Sequence, residues 1–301
     1  MRHRTVGAAL AAASIIAPAT AGGQRGTKDV VLEAHQVSPT APLKIYGVAG
    51  SVRLVGWDRD SVVVTAQTRP ADFFFFHDRG GIKTGVDQFR FGIEEARGES
   101  SAKPVHFVVY LPKQSRISIK TVSADIDGTD VTGWFYSASG SIQLRGASAN
   151  LEVETINGNI DINANTSWLR ARTGRGRLIV RGAVQDVDAS TVDGELDVAT
   201  PAVMRGRFAS VTGDIRYAAA PAPGSIFDFS NHSGAVDMAL PRDVSAAFDL
   251  SSVTGAVENG LGQARPVAGG AHSLRLTTGH GDAQMTVRTF KGTIRLRSSQ
   301  P

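Results

Sequence analysis

The sequence contains no cysteine among its 301 residues. Neither disulfide bonds nor thiolate metal sites can therefore stabilise the fold, and a lipid-modified cysteine at a processed N-terminus is excluded. Aromatic residues make up only 7% of the chain, and no stretch after residue 21 is long and apolar enough to span a membrane as a helix. Stability must therefore come from the packing of aliphatic side chains over a long chain.

A strong excess of charge of one sign is also lacking. The full chain carries 32 basic and 28 acidic residues, and its sequence pI is about 9.6. Loss of Arg2 and Arg4 with a cleaved leader would leave 30 basic and 28 acidic residues, a net charge of +2. Nucleic-acid binding normally needs a concentrated basic face, so we predict no nucleic-acid partner.

The first 21 residues have the pattern of an export signal. Arg2 and Arg4 form a basic start, an apolar run follows at 6–17, and small residues at 19–21 form a cleavage site. The alternative is a membrane anchor, but the apolar run falls short of the roughly 20 residues that span a bilayer. We expect cleavage after Ala21 and a soluble product in the periplasm, outside the cell or at the cell surface.

Short segments of one pattern recur between residues 137 and 259. Many follow the phrase T-x-x-G-x-I-x-I, as in TINGNIDI at 155–162. The repeat glycines are Gly140, Gly158, Gly176, Gly194, Gly213, Gly234 and Gly255. Their spacings of 18, 18, 18, 19, 21 and 21 residues are typical of a repeat architecture.

Each copy predicts two short strands, one on either side of the glycine. Apolar residues stand two and four positions after it, as in Ile142 and Leu144, and seven and five positions before it, as in Leu151 and Val153. Such alternation is the period of a strand with one buried face. We expect the glycine between the strands to form a bend, which is easiest for a residue without a Cβ.

A column of alternating charge predicts how the copies pair. The residues six positions before the glycine are Trp134, Glu152, Arg170, Asp188, Arg207, Asp228 and Asp249. Opposite charges meet directly across a ladder if equivalent strands are parallel and in register. We therefore predict an all-β fold, namely a parallel β-solenoid (β-helix) of about 18–21-residue coils with an N-terminal capping region.

The chain divides into four predicted parts. These are a signal peptide at 1–21, an N-terminal β region at 28–116 with a first repeat and an insertion at 69–104, a solenoid repeat array at 117–297, and a disordered tail at 298–301. Gly50 belongs to the first repeat, and Ala124 takes the glycine position in the first coil of the array. Gly281 is the predicted glycine of the last copy, and residues 290–297 are a predicted terminal edge strand with outward basic side chains.

Three phrases resemble a known family. They are IYGVAGSVRLVGWDRDSVVVTAQ at 45–67, VVYLPKQSRISIKTVSADIDGTDVTG at 108–133, and the T-x-x-G-x-I-x-I units. The chain resembles, over nearly all of residues 28–297, the bacterial putative-adhesin family of unknown function, domain of unknown function family 4097. The resemblance implies a β-solenoid on an exported or envelope-associated chain, and it brings no catalytic residues. We expect a non-enzymatic protein that binds an envelope protein or glycan, or an envelope scaffold.

A polysaccharide-active enzyme is the alternative, because such enzymes also place carboxylates on the outward face of a parallel solenoid. Asp161 and Asp197 stand three positions after their glycines and are candidates for an acid and a base. They are expected two coils apart, ~10 Å at the ladder spacing, with Ile179 between them. This separation is long for a retaining pair and at the limit for an inverting pair, which favours polar residues on a solvated face.

Metal and phosphate sites lack a supporting pattern in this sequence. His77, Asp78 and His106 are the candidate ligands, but no H-x-x-x-H or similar spacing connects them. The segment TGRGRL at 173–178 has glycines but no following helix, so it does not predict a phosphate loop. We predict neither a metal site nor a cofactor.

Two surface features are candidate contact sites. One is a run of four phenylalanines: Phe73, Phe74, Phe75 and Phe76. Side chains of a strand alternate between its two faces, so half of these rings can cap the end of the solenoid. The run is therefore either purely a cap or also an interaction site, at which the other rings contact a partner or a membrane surface. The other is a candidate anionic-ligand patch: Arg170, Arg172, Arg175 and Arg177. Acidic residues on adjacent coils favour an internal charge ladder over such a patch.

Overall fold

The computed structural model describes residues 29–46, 49–67, 73–78, 88–93, 104–201, 203–262, 265–270 and 272–299. The predicted signal peptide lies outside the described residues, as do much of the 69–104 segment and the last two residues of the predicted tail. Every helix or strand in the described ranges is a β-strand. The predicted all-β class is therefore confirmed.

The described ranges contain 26 strands. The first nine are β1 (Val30–Gln36), β2 (Leu43–Tyr46), β3 (Ala49–Trp57), β4 (Ser61–Ala66), β5 (Phe73–Asp78), β6 (Gln88–Ile93), β7 (Val105–Pro112), β8 (Arg116–Thr121) and β9 (Ser123–Thr129). The next nine are β10 (Thr132–Ser137), β11 (Ile142–Ala147), β12 (Asn150–Asn157), β13 (Ile160–Arg175), β14 (Leu178–Arg181), β15 (Val184–Asp193), β16 (Leu196–Ala199), β17 (Arg205–Ser210) and β18 (Ile215–Tyr217). The last eight are β19 (Ile226–Asn231), β20 (Val236–Leu240), β21 (Ala246–Ser252), β22 (Val257–Gly260), β23 (Arg265–Gly270), β24 (Ser273–Thr278), β25 (Ala283–Thr289) and β26 (Ile294–Ser298).

Each repeat contributes one strand to each of two sheets, which we call the first and the second sheet. Strands that precede a repeat glycine form the first sheet, in the order β8, β10, β12, β13, β15, β17 and β19, and all of these neighbours are parallel. Strands that follow a glycine form the second sheet, in the order β9, β11, β13, β14, β16, β18 and β20, again parallel. The long strand β13 belongs to both sheets, and the inward residues of both sheets share one hydrophobic core.

The predicted register is confirmed residue by residue. Ile142 lies opposite Ile160, Ile160 opposite Leu178, and Leu178 opposite Leu196. All four side chains are fully buried. Equal offsets from successive glycines therefore stack on one another.

The column of alternating charge is also confirmed. Glu152 lies opposite Arg170, and their side chains form an ion pair of 3.4 Å. Two like charges, Asp228 and Asp249, end the column in sequence but are not neighbours in space. Thr286 of β25 lies between them, opposite each. Like charges directly opposite would be unfavourable, and the inserted threonine separates them.

The position of β25 and β26 corrects the prediction for the C-terminal repeat. β25 lies between β19 and β21, and β26 lies between β20 and β22, so the last coil in sequence is the second to last in space. Its repeat glycine is Gly292, which stacks between Gly234 and Gly255. Gly281 instead occupies a turn with a φ of +75° between β24 and β25.

The predicted terminal edge at residues 290–297 is therefore wrong. Arg295 and Arg297 of β26 do not repel another chain but pair with Glu258 and Asp237 of the two flanking strands, at 3.0 and 3.3 Å. The physical reason is the hairpin of β23 and β24, which pairs antiparallel on β21 and takes up the extra residues of the last copy.

The N-terminal end has the same exchanged order. β6 pairs with β2 and β2 with β8 in the first sheet, while β7 pairs with β3 and β3 with β9 in the second. The coil of β6 and β7 thus lies outside the coil of β2 and β3, although it follows it in sequence. Antiparallel strands β5, β4 and β1 cover this end. The predicted first repeat at Gly50 is confirmed, because Gly50 lies opposite Ala124.

The repeat glycines are required by a close approach between coils. A Cβ added to Gly213 would collide with the backbone carbonyl of Gly194, and a Cβ on Gly194 would collide with that of Gly176. Gly213 needs no left-handed conformation. Stacking distance, rather than the bend alone, therefore explains glycine at this position.

Candidate functional site

A row of buried polar side chains lies at the corner before each repeat glycine. The residue three positions before the glycine is Thr121, Ser137, Thr155, Thr173, Thr191, Ser210, Asn231, Thr289 or Ser252, and all nine are buried. The Thr155 hydroxyl donates to the carbonyl oxygen of Gly140 at 3.1 Å, and the Thr173 hydroxyl donates to that of Gly158 at 2.9 Å. These bonds satisfy carbonyl groups that the bend removes from the ladders. The corner is thereby locked to the coil beneath it.

The next residue of each corner must point outward, because successive side chains of an extended chain alternate. These positions form a row that we call the apolar ridge: Val122, Ala138, Ile156, Gly174, Val192, Val211, His232, Phe290 and Val253. Val122 is 60% exposed, Val192 54% and Val253 61%. The ridge thus presents aliphatic side chains to solvent on five coils, and Gly174 and the rings of His232 and Phe290 lie among them.

An open groove runs beside the apolar ridge. Its volume is about 760 Å³, and its walls include Ile156, Val192, Val211 and Phe290 of the ridge. The rings of His232 and Phe290 stack at 5.0 Å with an interplanar angle of 4°. Charged side chains of Glu154, Arg172 and Arg288 also line the groove.

Neither the ridge nor its groove was predicted as a functional site from the sequence. The signal was present in the T-x-x-G phrase, whose second position is apolar in Ile156, Val192, Val211 and Val253. Interpreted one copy at a time, this residue is an unremarkable turn position. Only the in-register stacking of the copies turns it into a continuous surface.

The four arginines of the predicted anionic-ligand patch are brought onto one coil, but three of them have acidic partners. Arg170 pairs with Glu152 at 3.4 Å and Arg172 with Asp188 at 3.8 Å. Arg177 reaches Asp197 at 2.9 Å. Arg175 forms no ion pair with the described residues. These ion pairs support an internal charge ladder rather than an anionic-ligand patch. The patch stays a prediction.

The phenylalanines of β5 divide between two faces. Phe73 and Phe75 pack against the hydrophobic core, and Phe75 also stacks on His35 at 4.7 Å. Phe76 points the other way and is 56% exposed, with the Arg90 guanidinium 4.5 Å from its ring centre. Phe74 is half-buried. The run therefore both caps the core and leaves an aromatic side chain outside.

The candidate acid and base of the enzyme alternative lie as the ladder spacing predicts. Asp161 is opposite Ile179, and Ile179 is opposite Asp197. Arg177 donates to the Asp197 carboxylate at 2.9 Å and holds it in an ion pair. The two carboxylates are thus separated by an intervening strand with an apolar side chain.

Of the three candidate metal ligands, the structure describes only the side chain of His106. The His106 ring is hydrogen-bonded to Ser51 at 2.8 Å. The side chains of His77 and Asp78 lie outside the described residues. No group of three or more histidine, aspartate or glutamate side chains with metal-binding geometry occurs among the residues the structure describes.

Two buried hydroxyls lack a hydrogen-bond partner among the described residues, those of Thr191 and Tyr217. The Tyr217 ring is packed among Phe227 and Phe229 at centroid distances of 5.4 and 5.5 Å. Burial raises the pKa of the Tyr217 hydroxyl, because the charged form loses its hydration. Tyr217 therefore stays neutral in the core and serves packing.

The family comparison covers most of the chain. The family model described as Toastrack DUF4097 matches residues 58–297. Among curated proteins, no match to this chain is found.

No helix in the described ranges is long and apolar enough to cross a membrane.

Three solved structures are similar to the chain at low sequence identity. A putative cell adhesion protein from Clostridium sporogenes shares 8% identity over 90% of this chain and 100% of its own, with a TM-score of 0.27. A putative adhesin from Bacteroides fragilis shares 14% identity over 91% and 99%, with a TM-score of 0.46. A putative adhesin from Parabacteroides distasonis shares 10% identity over 89% and 97%, with a TM-score of 0.44. The family match, rather than these distant structures, carries the assignment.

Proposed function

The chain belongs to the Toastrack DUF4097 family, a family of adhesin-like proteins of unknown function, and from that premise we propose that it is a non-enzymatic, adhesin-like binding protein or envelope scaffold. The residues that carry this proposal form a surface rather than a catalytic cleft. The ridge and groove extend along stacked coils and combine aliphatic, hydroxyl and charged side chains. Surfaces of this kind suit an extended macromolecular partner better than a small substrate.

The proposed architecture is a parallel β-solenoid. It is supported by the in-register parallel pairing of equivalent strands in both sheets, by the shared core, and by the close stacking of the repeat glycines. In a solenoid each coil contacts only its neighbours, so residues at one repeat position form straight rows on the outside. The division into an N-terminal region at 28–116 and an array at 117–297 is part of the same proposal.

The proposed location is the periplasm, the outside of the cell or the cell surface. The basic start, apolar run and small-residue cleavage site of the first 21 residues support export. A fold without cysteine does not depend on the redox state of the compartment it reaches.

The single observation that carries the binding role is the apolar ridge. Contiguous exposed apolar surface is uncommon on proteins that contact only water and commonly marks an interaction site. Burying an aliphatic side chain in a contact contributes about 25 cal/mol per Å², and a rigid corner loses little conformational entropy when it is covered. Hydrogen bonds from the buried polar row beneath the ridge, such as those of Thr155 and Thr173, support this rigidity.

The test compares two matched double variants. We expect Val192→Ser with Val211→Ser to reduce retention of the purified protein on envelope preparations from the producing cell. The control is Met204→Ser with Ile226→Ser, since these side chains are 45% and 53% exposed but lie away from the ridge. Both variants should unfold at the wild-type temperature. Equal retention of the two double variants would remove the ridge as the contact surface.

A further inference from the structure

The outward face of the first sheet changes character near its N-terminal end. From β12 onward its basic residues alternate with acids across the ladder, as Glu152, Arg170 and Asp188 do. The four strands β6, β2, β8 and β10 do not follow this pattern. Their outward residues include Arg90, Lys44, Arg116 and Lys120, and no acidic side chain occurs on any of the four strands. None of these four cations forms an ion pair with the described residues.

Two of these cations are direct neighbours. Arg90 of β6 lies opposite Lys44 of β2 in a parallel ladder. Like charges at such positions repel, at a cost of a few tenths of a kcal/mol to about 1 kcal/mol. Elsewhere on the same sheet an acid lies opposite the basic residue, as Glu152 lies opposite Arg170. An anion bound at this point would relieve the repulsion.

Aromatic side chains share this face with the cations. The rings of Trp134 and Tyr136 stack at 5.8 Å, and the Lys120 ammonium lies 5.8 Å from the Tyr136 ring centre. Lys120 stands between Tyr136 and Tyr46, because each tyrosine is opposite Lys120 on an adjoining strand. Tyr46 is 39% exposed. The face therefore offers flat aromatic surfaces with a positive charge between them.

Two depressions meet on this face at Lys44. One, of about 160 Å³, is lined by Lys44, Tyr46, Phe76 and Arg90. The other, of about 330 Å³, is lined by Lys44, Arg116 and Trp134, and also by Glu152, whose carboxylate is paired with Arg170. Each thus combines at least two cations with an aromatic wall, and Lys44 lines both.

We propose that this basic and aromatic face binds an acidic glycan, a polysaccharide that carries carboxylate groups. Arg90, Lys44 and Arg116 supply charge-assisted hydrogen bonds to the carboxylates. The electron-rich faces of Trp134 and Tyr136 receive the C–H face of a sugar ring. The inference rests on the proposed binding role and assigns to it a ligand class and a site distinct from the apolar ridge.

The test measures binding of purified protein to alginate, with neutral dextran and poly-L-glutamate as comparison polymers. We expect alginate to bind more tightly than either, because dextran lacks charge and polyglutamate lacks sugar rings. The affinity should fall as salt is added, since ionic contacts on an exposed face are screened.

Three double variants locate the site. We expect Lys44→Gln with Arg90→Gln, and Trp134→Ala with Tyr136→Ala, each to weaken alginate binding about tenfold or more. Arg181→Gln with Arg242→Gln removes the same charge from exposed positions elsewhere on the surface and should change the affinity less than about twofold. If the tryptophan and tyrosine pair proves to lower the melting temperature, Tyr46→Ala on β2, on the other side of β8, provides the aromatic arm instead.

Several outcomes would overturn the assignment. Absence of alginate binding would do so, as would equal binding of dextran. Equal binding of polyglutamate, or an unchanged affinity in the folded aromatic variants, would show that charge alone is recognised and not a glycan. If alginate fails to bind while the ridge variants still lose envelope retention, the glycan site is rejected and the adhesin-like role stands.

Discussion

The corner hydroxyl is the residue that connects one coil to the next. Thr173 and Thr191 occupy the same repeat position on adjacent coils, and both are buried. The Thr173 hydroxyl donates to the carbonyl oxygen of Gly158, whereas the Thr191 hydroxyl has no partner among the described residues. An unsatisfied buried hydroxyl costs free energy, while a satisfied one contributes. The same threonine-to-valine substitution at the two positions therefore distinguishes the loss of a bonded hydroxyl from the loss of an unbonded one.

We expect Thr173→Val to lower the free energy of unfolding by about 1–2 kcal/mol, because it leaves a buried carbonyl without a donor. Thr191→Val should leave stability unchanged or raise it by up to about 1 kcal/mol, because it removes a buried hydroxyl that is not bonded. Urea unfolding of the two variants and the wild type measures both. Equal destabilisation would mean that shape, and not hydrogen bonding, explains the threonine at this position.

The residue scale is also where sequence reasoning was most successful. The inward positions two and four residues after each glycine follow from strand period alone, and Ile160, Ile162, Leu178 and Val180 are all fully buried. The reason for the glycine was only partly predictable. A bend is visible in a sequence, but the collision of a Cβ at Gly213 with the carbonyl of Gly194 exists only after the coils have stacked.

At the scale of the element, the insertion of β25 and β26 between earlier strands changes what the C-terminal segment does. A terminal repeat can usually be removed with the loss of one interface. Here β25 joins β19 to β21, and β26 joins β20 to β22. The last strands in the sequence therefore hold together elements that precede them.

We predict that truncation after Asp282 will disrupt more than the deleted coil. The coil of β21 and β22 would lose the strands that connect it to the rest, and the edges of β19 and β20 would be exposed to aggregation. A chain truncated after Ser299 is the control. Urea unfolding followed by circular dichroism should show a lower midpoint and a less cooperative transition only for the shorter chain. An unchanged midpoint would contradict the inserted position of β25 and β26.

The position of β25 and β26 between earlier strands could not be predicted from the sequence, because two glycines were candidates for the last repeat. Both TTGHGDAQM at 277–285 and RTFKGTIRL at 288–296 place a glycine before an alternating segment. Choosing between Gly281 and Gly292 requires knowing that β24 turns back antiparallel on β21. Long-range pairing of that kind leaves no periodic trace in a single sequence.

At the scale of the whole molecule, the two ends are built alike. At each end a coil is placed outside its sequence neighbour, and antiparallel strands cover it, β5 and β4 at one end and β24 at the other. Open sheet edges invite pairing with other chains. The antiparallel strands pair with the outer edges of β6, β7 and β21, and the ridge and the basic and aromatic face lie on the outward sides of the stacked strands.

The phenylalanine run and the basic and aromatic face differ in how far they could be predicted from the sequence. The phenylalanine run was recognisable, and its division between core and solvent follows from strand alternation. The basic and aromatic face was not, because it joins β6, β2, β8 and β10 from distant parts of the chain. The order in which those strands meet is set by the exchange of coils at the N-terminal end.

Disulfide trapping tests the stacking order most directly, because the chain has no cysteine of its own. Asp228 lies directly opposite Thr286, whereas Asp228 and Asp249 are two strands apart, ~10 Å. A disulfide needs Cα atoms within about 7 Å. We predict that Asp228→Cys with Thr286→Cys will form an intramolecular disulfide on mild oxidation and that Asp228→Cys with Asp249→Cys will not. Bond formation in the second pair and not in the first would contradict the account.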